Sequence, residues 1–215
     1  MDSERFLTQL PNLFEDFPHS EHPIDRRFAP VVEHVENLAR ENNLALLNLA
    51  ASCLGPDEIY VEVGVFHGAS LVAAMLGNEG RRRFVGIDSF DFRDGSLDRV
   101  EQNLAHFGVG QSELIVGDVF ELVPGGALGE ARAGVWYYDA LHTYEGQMEG
   151  LRIAEPWLAP GALLIVDDTD WEQVARAMDD YLAEQPRVRR VLTVCGKDRG
   201  SPQWWEGMQV LEWSA

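Results

Sequence analysis

Apolar residues along the chain fall into two kinds of run. Short stretches that are apolar at nearly every position occupy residues 59–63, 84–87, 113–116, 134–138, 163–166, 188–194 and 208–213. Between most of them, apolar positions repeat at helical spacing, over residues 69–76, 96–107, 147–157 and 171–184. Strands apolar on both faces must be covered on both, and strands separated by helices pair in parallel. The pattern therefore predicts a single α/β domain with a doubly wound, mostly parallel sheet and helices on both faces. The end of the chain departs from this. Between Val194 and Met208 lies only a loop of Gly, Pro and charged residues, so the last two strands are predicted to pair antiparallel. Five parallel strands followed by a hairpin is not the strand count of a dinucleotide-binding domain.

Upstream, Pro11, Pro18 and Pro23 among acids and aromatics predict an irregular or short-helical arm over residues 1–25. Val32, Val35, Leu38, Leu44, Leu47 and Leu49 recur at roughly helical spacing, which predicts one or two helices before the break at Gly55-Pro56. The chain divides accordingly into residues 1–54, an arm with helices that is a candidate lid, and a core of residues 55–215.

A chain of 215 residues suits one such domain, and 46% apolar with 25% charged residues is an ordinary globular composition. Charge narrows the partners. Thirty-six acids against 17 Lys and Arg leave −19, which repels a nucleic-acid backbone and an anionic membrane alike. The run Arg81-Arg82-Arg83 reads as a solvated helix cap. Cys53 and Cys195 lie far apart in apolar contexts, as small core residues of a reduced compartment. With no signal-like start and no apolar stretch of about 20 residues, a cytoplasmic location is expected.

Candidate chemistry begins at Glu62-Val63-Gly64-Val65-Phe66-His67-Gly68-Ala69-Ser70, a strand entering a glycine turn and then a helix. Open α/β sheets bind ligands beyond the carboxyl ends of their strands. Gly64 lets the backbone approach a ligand, and Gly68 lets the helix start close to the strand. Alone, two glycines are a weak signal. Acids strengthen it: Asp88, Asp118, Asp139 and Asp167-Asp168 close the second to fifth strands. One would be a helix cap, but a ring of them with Glu62 asks for a cationic ligand or a metal ion. Glu62 opposes a pyrophosphate, and G-x-G-x-x-G is absent. The sulfonium and ammonium groups of S-adenosylmethionine suit such a crevice.

From about Leu47 to Trp213 the chain resembles the class I S-adenosylmethionine-dependent methyltransferases. Glu62, Gly64, Gly68 and Ser70 match the family's E-x-G-x-x-x-G-x-S turn, Asp88 its ribose acid and Asp118 its adenine acid. The resemblance implies a seven-stranded sheet of order 3-2-1-4-5-7-6, with Ser89, Val119 and Asp139 completing the cofactor site. Within the family, Asp139, Asp167 and Asp168 resemble the metal triad of cation-dependent O-methyltransferases, which implies Mg²⁺. His142 stands where the catechol type carries a lysine base, so it is the candidate base, with Asp139 beside it. The bland readings are that His142 is a loop residue satisfied by a carbonyl and that Asp168 caps the next helix.

Several residues are expected to be structural. His67 is read as facing solvent rather than flanking the methionine end, and His19, His22 and His34 as solvated. Trp204, Trp205 and Trp213 read as core or interface, and Phe90 and Phe92 either border the adenine or pack beneath their loop. The resulting expectation is transfer of a methyl group to an oxygen of a small-molecule acceptor, with a homodimer left open. Alternatives are a nicotinamide-dependent oxidoreductase and a non-catalytic cofactor-binding module.

Overall fold

The computed structural model describes residues 1–78, 80, 83–110 and 112–214. Seven strands, β1 (Glu58–Val63), β2 (Arg83–Asp88), β3 (Glu113–Val116), β4 (Arg132–Tyr138), β5 (Leu158–Asp167), β6 (Val188–Val194) and β7 (Met208–Trp213), form one sheet. Their order is β3-β2-β1-β4-β5-β7-β6. The first five are parallel, while β7 runs antiparallel to both β5 and β6. This is the predicted sheet.

Alternate residues of each strand serve separate cores. Val61, Val63, Ile87, Trp136, Tyr138 and Leu164 pack on one face beneath α7 (Tyr144–Arg152) and α8 (Glu172–Glu184). Tyr60, Phe84, Tyr137 and Ile165 face the other way, toward α3 (Glu41–Ser52) and α4 (Ala69–Met75). Each fully buried side chain of this size contributes about 1.5–3 kcal/mol, so the two covered faces hold the sheet.

The arm joins the second of these cores. Phe6 on α1 (Ser3–Gln9), Leu10, Phe14, Phe28 and Val31 on α2 (Ala29–His34) are all buried in it. Trp204 is fully buried against Phe14 and Phe17, and its indole N–H donates to the Pro18 carbonyl at 2.7 Å. Trp213 is buried as well. The helical stretch before β1 is split after His34. The Asn37 amide donates to the Val35 carbonyl at 2.6 Å and its oxygen accepts the Ala39 N–H at 2.9 Å, which leaves Leu38 exposed.

Three local readings need correction. The helix expected over residues 147–157 starts earlier, because Thr143 caps it by accepting the Gly146 N–H at 3.0 Å, and it ends at Arg152 before a 3₁₀ turn at Glu155–Trp157. Arg83 opens β2 and pairs with Glu113 rather than capping a helix, while Arg81 and Arg82 lie outside the described residues. Cys195 is only half-buried, although both cysteines are free as expected. Among the described residues no helix is long and apolar enough to cross a membrane.

Candidate functional site

At the carboxyl edge of the sheet the backbone ladder continues past the strands. Gly64 donates to the Ile87 carbonyl at 2.9 Å, Asp139 to Val63 at 2.8 Å and Gly117 to Asp88 at 3.0 Å. These bonds draw the ends of four strands into one floor.

Gly64 is required by that closeness. Its φ is +90°, and a Cβ there would lie 1.9 Å from the Asp139 carbonyl oxygen. A strand end is thus one close neighbour that only glycine allows here. Gly64→Ala is expected to cost more than about 1 kcal/mol, seen as a lower melting temperature, since both conformation and space are lost. Gly68, with φ +84°, precedes α4, and a Cβ there would meet Val100 of α5 (Leu97–His106).

Glu62 corrects the sequence reading more deeply. Being on the Tyr60 face of β1, it is fully buried, and it accepts the Ser70 hydroxyl at 2.6 Å and the Tyr60 hydroxyl at 3.1 Å. Burial pushes its carboxyl up to about 8. Its carboxyl is turned onto Tyr60 and Ser70, and burial favours its neutral form, which weakens the opposition to a phosphate that the sequence suggests. A raised carboxyl favours the fold below its ordinary value, and this advantage is lost as pH rises through the folded value. Glu62→Gln is therefore expected to keep the fold and flatten the pH dependence of the melting temperature between 4.5 and about 8.

Asp88 holds the turn itself. Its Oδ2 accepts the amides of Val65 at 2.6 Å and Phe66 at 2.8 Å, and its Oδ1 accepts Phe90 at 2.6 Å. A carboxylate has about four lone-pair positions, so one remains for a ligand hydroxyl. Ser89 is exposed beside it. Asp118 caps the short helix α6 (Val119–Leu122) through the Phe120 N–H at 2.8 Å and is otherwise open to solvent, with Val119 buried next to it. Phe92 is exposed with its edge toward Phe66, whereas Phe90 is half-buried on the core.

Beyond β4 and β5 the acids meet a histidine. His142 Nε2 lies 3.3 Å from Asp139 Oδ1 and 3.4 Å from Asp168 Oδ2. One donor atom from each of the three residues falls within 4.8 Å of the others. A bare lone pair aimed between two carboxylates is repulsive, so this arrangement takes a hydrogen on Nε2, in the neutral or the charged ring, or a cation among the three groups. Burial opposes charging His142, but the bond to Asp139 and the charges of Asp139 and Asp168 outweigh it and raise its pKa. Burial, and then Asp139, push Asp168 up to about 7. Asp168 also has φ +54°, an uncommon conformation for a non-glycine residue and one found at functional sites. Trp171 lies edge-on to the His142 ring at 5.3 Å.

Asp167 does not join this group. It is 3% exposed, buried behind the Tyr137 hydroxyl, which lies 2.8 Å from Asp167 Oδ2 and 3.2 Å from Asp139 Oδ2. Its other oxygen accepts the Asp168 N–H at 3.0 Å. Burial and the two neighbouring carboxylates raise its pKa. The structure thus gathers Asp139, His142 and Asp168 where the resemblance implied Asp139, Asp167 and Asp168. Two residues escaped the sequence reading. Tyr137 braces the acids, and Glu206 is a buried acid whose Oε2 has no partner and whose charge acts on Asp168. Tyr137-Tyr138 directly before Asp139 was a visible clue to the first; nothing marked the second.

Residues 61–169, just over half of the chain, match a family model described as a methyltransferase domain. The chain belongs to that methyltransferase family. Its model spans the glycine turn and ends just after Asp167-Asp168, so it contains every acid described above except Glu206. Solved methyltransferases share the architecture. The O-methyltransferase TomG from Streptomyces achromogenes, involved in tomaymycin synthesis and solved with SAM, is 19% identical over 100% of both chains, with a TM-score of 0.68. An O-methyltransferase from Bacillus cereus in complex with SAH is 13% identical over 96% of both chains, with a TM-score of 0.66. CalS11, a TDP-rhamnose 3'-O-methyltransferase of calicheamicin biosynthesis, is 22% identical, covering 99% of this chain and 93% of its own, with a TM-score of 0.61. At these identities the likeness establishes the fold. A search of curated proteins finds no match. The resemblance to class I methyltransferases is borne out by the family match and by the sheet order.

Proposed function

We propose that this methyltransferase uses S-adenosylmethionine to methylate an oxygen of a small-molecule acceptor, at a site where Asp139, His142 and Asp168 hold a divalent cation. The observation that carries the reading is His142 Nε2 set between two carboxylates at the strand edge, with one ligand atom from each residue within 4.8 Å of the others.

The cofactor, when bound, supplies a methyl carbon already activated by sulfonium. Asp88, with its remaining acceptor position, and Ser89 take the ribose side, and Asp118 and Val119 take the adenine. The turn from Gly64 to Gly68 faces the methionine end, with Asp139 at the junction of the two sites. Glu62 and Ser70 support the turn from beneath rather than touching the ligand.

A cation at the second site would lower the pKa of the acceptor oxygen. Two carboxylates and one imidazole suit Mn²⁺ as well as the Mg²⁺ implied by three carboxylates. Tyr137, with Asp167 behind it, fixes the Asp139 carboxylate. Glu206 is paired with Lys197 and adds its charge beside Asp168. Phe14, Phe17 and Pro18 of the arm, with Arg40 and Asn43, dock against Trp204 and Trp205 and are the part of the arm that serves the acceptor side.

The raised His142 supports a second reading of the same atoms. Without a cation, Nε2 takes the acceptor's proton once it has lost its own, and Asp139 and Asp168 steady the imidazolium that forms. One nitrogen cannot be both ligand and base. Activity lost to EDTA and restored by Mn²⁺ supports the cation. Activity that survives EDTA, rises with pH as His142 deprotonates and vanishes in His142→Gln supports the base.

The cation reading also predicts a stability effect. Protons on Asp168, with its carboxyl near 7, exclude the ion at low pH. Mn²⁺ is therefore expected to raise the melting temperature at pH 8 and to leave it unchanged at pH 5. An equal shift at both would mean binding elsewhere.

A further inference from the structure

The sequence reading left His67 facing solvent, but the structure buries it to 2% exposure. Its ring stacks on Phe66 with centroids 3.7 Å apart. Nδ1 lies 3.2 Å from the backbone carbonyl of Glu36, and Nε2 lies 3.2 Å from the backbone carbonyl of Asp94. One carbonyl belongs to the linker between α2 and α3, the other to the loop between β2 and α5, and both segments lack regular secondary structure there. The backbone of His67 is held too, its carbonyl accepting the Asn103 amide at 2.8 Å. Carbonyls only accept and arginine only donates, so with a single ring N–H, Nδ1 donates to Glu36 and Nε2 accepts from Arg99 at 3.3 Å; Arg99 in turn lies 2.9 Å from the Asp94 carboxylate and 3.5 Å from that of Glu36.

The loop that His67 reaches is the one that begins at Asp88 and Ser89. It carries two uncommon backbone conformations, Phe90 at φ +57° and Arg93 at φ +51°, and Phe66 beside His67 has φ +52°. Such conformations persist only where the surroundings over-determine them. A histidine serving the core alone needs one buried partner. This one joins three segments distant in sequence, and one of them forms the proposed ribose side.

We infer that His67 is the positioning residue of the cofactor site, its Nε2 arm fixing the 89–96 loop through Arg99 and the Asp94 carboxylate, and its Nδ1 arm fixing the linker to α3. The inference rests on the cofactor reading above. Only the Nε2 arm acts on cofactor affinity.

Two substitutions separate the arms. His67→Gln keeps an acceptor for Arg99 near the Nε2 position, His67→Asn keeps a donor near Nδ1, and His67→Ala keeps neither. Each is titrated calorimetrically with S-adenosylhomocysteine, beside its melting temperature and its amide hydrogen exchange. His67→Ala is expected to weaken binding about tenfold, the order of one buried hydrogen bond, and to speed exchange in residues 35–40 and 89–96. His67→Gln protects 89–96 and binds within about threefold of wild type, whereas His67→Asn protects only 35–40 and binds like the alanine variant. Equal affinities in all variants, rescue by Asn rather than Gln, or losses that follow melting temperature alone overturn the inference. A wild-type protein that binds no S-adenosylhomocysteine overturns the cofactor reading first, and is told apart because no variant is needed to see it.

Discussion

Asparagine in place of Asp139 is expected to slow methyl transfer by about a thousandfold, equivalent to losing several kcal/mol of transition-state stabilisation. The change is nearly isosteric and keeps the backbone N–H on Val63 and an oxygen within reach of Tyr137. It removes one of the two carboxylates that face His142 Nε2. Three effects follow together. The cation loses a charged ligand, His142 loses the main interaction that raises it, and Asp168 falls below about 7 because Asp139 is second only to burial in raising it. S-adenosylhomocysteine release across a panel of hydroxyl acceptors measures the rate, and calorimetry with Mn²⁺ measures the ion. Rates close to wild type would remove Asp139 from the site.

Asp88→Ala is expected to abolish measurable cofactor binding and to lower stability as well. Three amide donors, from Val65, Phe66 and Phe90, converge on this carboxylate. Hydrogen bonds to a charged group are worth about 1.5–3 kcal/mol each, and donors left without a partner cost a comparable amount. The turn before α4 and the loop after β2 would both lose their anchor. Asp88→Asn keeps one acceptor oxygen, so it should retain part of the stability while still binding cofactor weakly. Melting curves and S-adenosylhomocysteine titrations of both variants separate the two roles. Undiminished binding in Asp88→Ala would show that the ribose lies elsewhere.

The sheet was legible because its strands are buried on both faces. Runs such as 59–63 and 163–166 have no periodic alternative, and the closing hairpin follows from a loop with no helical stretch. The strand-end acids were legible for the same reason, since each follows an apolar run directly. What the sequence does not show depends on partners distant along the chain. Glu62 was read as a crevice charge, yet an acid inside a two-face-buried strand must find hydroxyl partners, and Tyr60 and Ser70 supply them. His67 was read as solvated because Glu36 and Asp94, its partners, lie 31 and 27 residues away. Asp167 and Asp168 are indistinguishable in sequence. Adjacent strand-end residues point to opposite sides, and the one beside Tyr137 is buried away from His142. Helix α7 was displaced because the Thr143 cap was overlooked, a local signal that was present.

The central claim is that this strand edge binds a sulfonium cofactor rather than a dinucleotide. Burial favours the neutral form of Glu62, so Asp88, Asp118 and the family match carry this assignment. Calorimetric titration of the wild-type protein with S-adenosylhomocysteine, and separately with NAD, tests it most directly. One site for S-adenosylhomocysteine and no heat with NAD is the predicted result. Binding of NAD without S-adenosylhomocysteine, or of neither, would contradict it.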